Sequence, residues 1–110
     1  MKTELEILDR MVELIEAGWT KGRLCRRPNG QFGSATDLLD GDVAQVCLSG
    51  ALTKASSEIE DASWTTTIRR VSKALRNAVG DSGIVGFNDA PDTTKEDVLL
   101  ALKLTRDELL

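Results

Sequence analysis

The chain has 110 residues, 41% hydrophobic and 29% charged, with a formal net charge of −4. That is the make-up of one globular domain over residues 1–110, able to bury roughly two-thirds of its unfolded surface, and it argues against disorder. The absence of histidine excludes a histidine-assisted nucleophile, a Cys/His zinc site and an imidazole switch near neutral pH.

The segment opening with Thr3, Glu4 and Glu6 is unlike a basic, apolar leader, and no run approaches the roughly 20 apolar residues of a membrane span. Thr3 and Glu6 fit a capping box. Leu5, Leu8, Met11, Val12 and Ile15 then recur at helical spacing until Gly18, predicting a first helix over about residues 4–17. Pro28-Asn29-Gly30, flanked by Leu24-Cys25 and Phe32, predicts a small β-hairpin near residues 23–36. Asp37 to Asp42 reads as a loop, with Asp40 or Asp42 capping the next helix.

A short second helix carries Val43, Val46, Cys47, Gly50, Ala51 and Ala55 on one side, small residues that allow close packing. Ser56 to Ser63 reads as a loop or a frayed helical turn. Ile68, Val71, Leu75, Ala78 and Val79 form an amphipathic stripe within a helix from Trp64 to Val79, stopped by Gly80. Asp81 to Asp92, with turn-formers near an apolar Ile84-Val85, is expected to hold an extended piece or short strand. Thr93/Glu96 or Thr94/Asp97 caps a final helix bearing Val98, Ala101, Leu102 and Leu109. The sum is an α+β, mostly helical fold: about four helices packed around a short central helix, with a small hairpin.

Charge is segregated along the chain. Residues 21–36 carry Lys21, Arg23, Arg26 and Arg27 with no acid, and residues 64–80 carry Arg69, Arg70, Lys73 and Arg76 with no acid. Arg69, Lys73 and Arg76 share one helical face at i, i+4 and i+7. This is a candidate anion or nucleic-acid surface, although pairing with the acidic first and last helices is the favoured reading, because overall acidity opposes long-range attraction to nucleic acid.

Few motifs carry chemistry. Gly80-Asp81-Ser82-Gly83 copies a protease nucleophile string without the histidine base it needs, and reads as a helix stop and turn. Cys47 reads as a buried, inert thiol. The chain's thiols, Cys25 and Cys47, are expected reduced in the cytoplasm, with a bridge between them the lesser alternative. Asp37, Asp40 and Asp42 alternate like cation ligands, but capping explains them, and no metal or cofactor is expected. Phe87-Asn88-Asp89-Ala90-Pro91 makes a turn in which Asn88 or Asp89 bonds to main chain, or else lines a pocket beside Trp19 and Phe87.

The order Gly18-Trp19-Thr20-Lys21-Gly22, Cys47-Leu48-Ser49-Gly50-Ala51 and Phe87-Asn88-Asp89 resembles a family of small, uncharacterised bacterial and phage proteins, a domain of unknown function. In that family the motifs read Gly-Trp-x-x-Gly, Cys-x-x-Gly-Ala and Trp-Asn-Asp, so Phe87 stands where tryptophan is common. The resemblance implies no activity, cofactor or catalytic residue. It singles out Trp19, Gly22, Cys47, Gly50, Asn88 and Asp89 as one neighbourhood, structural or ligand-binding.

The leading expectation is a non-enzymatic cytoplasmic protein that binds a protein partner as an accessory or inhibitory factor. The alternatives are a small-ligand binder or unusual enzyme using Asn88 and Asp89, with Asp89 as acid or base, and nucleic-acid binding through the two basic segments. Leu99, Leu100, Leu104, Leu109 and Leu110 exceed what one helix face needs and suggest a homodimer.

Overall fold

The spacing of Ile7, Leu8, Met11, Leu14 and Ile15 puts five apolar side chains on one face of a helix, and α1 (Lys2–Ala17) buries all of them. A computed structural model describes residues 2–41, 43–60 and 62–110. Helix α1 already includes Lys2, so Thr3 lies inside its first turn and does not cap it.

Strands β1 (Cys25–Arg26) and β2 (Phe32–Gly33) form the expected hairpin. Its turn closes where the Gly30 amide donates to Arg27 O at 2.9 Å, with Gly30 at φ +84°. A third strand, β3 (Gln45–Val46), pairs antiparallel with the other edge of β1, so the order is β2-β1-β3. Val46 also exchanges main-chain bonds with Gly18 and Thr20, which ties the end of α1 to the sheet.

The segment read as an acidic loop is instead α2 (Ala35–Asp40). Ser34 and Asp37 cap it reciprocally: Asp37 N donates to Ser34 Oγ at 3.3 Å, and Ser34 N donates to Asp37 Oδ2 at 2.9 Å. This spends the Asp37 carboxylate, and the Ser34 amide holds it below the usual carboxylate range. Asp40 ends α2 and caps nothing downstream, while Asp42 lies outside the described residues.

Helix α3 (Leu48–Glu58) starts later than the sequence pattern suggests, because Val46 belongs to β3 and Cys47 is the N-cap. It also runs through Ser56–Glu58, so of the two readings of that segment the helical turn is the one found there. It buries Leu48, Gly50, Ala51, Leu52 and Ala55 and packs against α1 and α2. Helix α4 (Thr67–Val79) begins three residues after Trp64, buries Ile68, Val71, Ala74 and Leu75, and stops at Gly80 with φ +84°.

The segment expected to be extended is helix α5 (Gly83–Asp89). The β-branched pair Ile84-Val85 favours a strand in isolation, but Ile84 and Phe87 pack on the core and Asn88 is buried, so tertiary contact overrides propensity. Phe87-Asn88-Asp89 is thus the last turn of a helix rather than a free-standing turn. Helix α6 (Lys95–Leu109) is capped by Thr94 with Asp97, not by Thr93 with Glu96, and packs on α4 and α1. The expected four helices are α1, α3, α4 and α6, with α2 and α5 added; the fold is α+β and mostly helical.

Candidate functional site

Asn88 is 1% exposed, and all of its hydrogen-bonding capacity is met. Its Oδ1 accepts from Trp19 Nε1 at 2.7 Å and from the Leu48 amide at 3.0 Å. Its Nδ2 donates to Thr20 O at 3.1 Å and to Asp89 Oδ1 at 2.9 Å. One side chain therefore joins the end of α1, the first turn of α3 and the last turn of α5. The same Asp89 oxygen accepts from the Gly22 amide at 2.8 Å, and Lys21 Nζ reaches the carbonyl of Ala90 at 2.6 Å, at the C-terminal end of α5.

Cys47 adjoins this network, immediately before Leu48, and lines the same cleft as Asn88. Its Sγ accepts from the Gly50 amide at 3.2 Å and so caps α3. Burial pushes the thiol pKa up; the Gly50 and Ser49 amides oppose this, and the nearby Asp89 charge reinforces it. Cys47 is accordingly a protonated structural cap at neutral pH. Gly50 is required by proximity, since a Cβ there would stand 2.5 Å from Leu24 O. Gly22 is required by conformation, with φ +75° and open space around it.

Both thiols are free and buried. Cys25 pairs with Val46 in the β1–β3 register while the Cys47 amide donates to Leu24 O, so alternation points the two thiols to opposite faces of the ribbon. Burial also raises the Cys25 pKa, reinforced by the Asp37 charge.

Above the network lies a cleft of about 190 Å3, lined by Arg23, Leu24, Cys47, Ser49, Val85 and Asp89 among others. Asp89 is exposed, and Arg23 stacks its guanidinium 4.3 Å from the Phe32 ring. Arg26 stacks on the same ring at 4.6 Å, and its side chain also donates to Thr20 Oγ1 and Gly30 O. Arg27 lines a separate hollow beside Asp37. Arg26 is therefore committed to the architecture of the hairpin, while Arg23 and Arg27 form no ion pair among the described residues.

The second basic segment differs. Arg70 pairs with the buried Glu4 at 3.2 Å, joining α4 to α1. Arg69, Lys73 and Arg76 are exposed and form no ion pair among the described residues. Trp64, 68% exposed, joins Leu52, Ile68, Arg69, Ser72 and Arg76 around an open groove of about 410 Å3 between α3 and α4. Ser49 and Leu52, one on each concavity, stand at i and i+3 on α3, so cleft and groove open one helical turn apart.

A model of the family of unknown function DUF6197 matches residues 1–108. The chain belongs to DUF6197. No curated protein and no solved structure matches it.

In this DUF6197 chain, the neighbourhood suggested by Trp19, Gly22, Cys47, Gly50, Asn88 and Asp89 is a real cluster in space. Trp64, Phe32, Ser49 and Val85 were not among the residues singled out. A large aromatic immediately ahead of a basic amphipathic helix was the available signal for Trp64. Nothing local marks Ser49 or Val85, because their place on the cleft depends on the packing of α3 against α5. On α6, Leu100 and Leu104 are 54% and 48% exposed one turn apart.

Proposed function

We propose that this protein is a non-enzymatic interaction module whose recognition surface is the groove between α3 and α4, and that its occupant is an acidic segment of a partner protein. The observation that carries the proposal is the exposed Trp64 ring beside Arg69 and Arg76, with no acid pairing these cations among the described residues. Tryptophan and arginine are the side chains that most often dominate binding energy at protein interfaces. Cations without internal partners complement an acidic segment and hasten its encounter. A net charge of −4 opposes nucleic acid, a continuous polyanion whose phosphates extend past the groove over the acidic remainder, more than it opposes a short acidic segment confined to the groove. Two buried free thiols fit action in a reducing cytoplasm. The half-exposed Leu100 and Leu104 supply a candidate self-association contact apart from this groove.

Photo-cross-linking from position 64 in the natural host tests the proposal. The expected adduct is a protein joined through an Asp/Glu-rich segment, and Arg69→Glu with Arg76→Glu abolishes it while leaving the fold intact by circular dichroism. An adduct to nucleic acid, or an adduct unaffected by charge reversal, overturns it.

A further inference from the structure

The cleft over the Asn88 network is a different kind of site. Asp89 and Arg23 both line it, its only acidic and basic residues, yet the two form no ion pair. Each is fixed by uncharged contacts instead. Asp89 Oδ1 is held by the Gly22 amide and Asn88 Nδ2, and Arg23 lies on the Phe32 ring. Opposite charges held in place across one concavity, and kept from neutralising each other, complement a ligand that carries both charges.

The remaining lining sets the size and polarity of that ligand. Leu24, Val85 and the protonated Cys47 thiol give apolar walls, and the Ser49 side chain makes no hydrogen bond among the described residues. A cavity of roughly 150 Å3 accepts a guest of benzene size, so about 190 Å3 suits a molecule of that size or slightly larger. Asn88 contributes no ligand contact, since its four bonds are internal, but it anchors Asp89.

From this juxtaposition we infer that the cleft binds a small zwitterion of the free α-amino acid class. Its ammonium group meets Asp89 Oδ2, its carboxylate meets Arg23 and the Ser49 hydroxyl, and its short side chain lies against Leu24 and Val85. The inference is independent of the α3–α4 groove and stands or falls without it.

The test is an amide-resolved NMR titration of the intact chain with L-alanine and L-serine, beside L-alaninamide and N-acetyl-L-alanine, each of which lacks one charge. Saturable shifts are expected at Gly22, Ser49 and Val85 with the zwitterions, and binding about tenfold or more weaker for either blocked compound. Asp89→Asn keeps an oxygen acceptor for Gly22 and Asn88 and should lose affinity to a similar degree. Arg23→Gln, at an exposed position, provides the same readout should the first variant not fold. Equal binding of the blocked compounds, shifts confined to other residues, or linear shifts that never saturate overturn the inference.

Discussion

At the scale of single residues, Asn88 does what no other described side chain does, making two long-range contacts through its Oδ1 and a third through its Nδ2. Asn88→Ala leaves Trp19 Nε1, the Leu48 amide and Thr20 O without their partner, and a loss of about 2–4 kcal/mol is expected in urea unfolding. Two glycines separate two mechanisms. Gly50→Ala drives a methyl against Leu24 O and should cost about 1–3 kcal/mol through overpacking. Gly22→Ala meets no neighbour and should cost roughly 1–2 kcal/mol through its left-handed backbone alone. Only the first should be relieved by a compensating shift of Leu24. The thiols make a further check: Cys25 and Cys47 should resist an aromatic disulfide reagent until the chain is unfolded, and melting should not depend on reductant. The sequence order of tryptophan, cysteine and asparagine motifs made this cluster visible, but not that one amide would close it.

At the scale of elements, caps set the helix starts. Thr94→Ala removes the α6 cap and should lower global stability by about 1 kcal/mol, since α6 packs on both α1 and α4. Ser34→Ala removes the equivalent cap from the six-residue α2, and its expected readout is faster amide exchange confined to that helix. Length explains which elements could be read in advance. Helices α1, α4 and α6 each span several turns, so their apolar residues repeat often enough to declare a period. Helices α2 and α5 span six and seven residues, fewer than two full turns, and a period cannot show in so few positions. Strand β3 was absorbed into the following helix because Val46 and Cys47 suit a helical stripe as well as an extended one.

At the scale of the whole molecule, ion pairs join elements far apart in sequence: Glu4–Arg70 across α1 and α4, Arg10–Glu58 across α1 and α3, and Arg106–Asp9 across α6 and α1. The Arg10 hydrogen bond holds the Glu58 carboxyl below its ordinary pKa. Burial pushes the Glu4 carboxyl up, but hydrogen bonds from its own amide and from Arg70 outweigh this and leave it lowered. Both groups therefore bind protons more readily in the unfolded chain. Their stabilisation is present above the unfolded carboxylate pKa of about 4.3 and is lost as pH falls through the lower folded values. Acid unfolding should follow, and Glu4→Gln should flatten its pH dependence, as calorimetry between neutral and acid pH can check. The sequence by itself determined the helical class, the hairpin, the segregated charge and the family, because periodicity, turn chemistry and composition are local properties. Only the tertiary structure decided that the chain has a cleft lined by opposite charges and a basic groove, unpaired among the described residues, one turn apart on α3. Those depend on which of several equivalent charges finds a partner, and distances between residues far apart in the chain settle that.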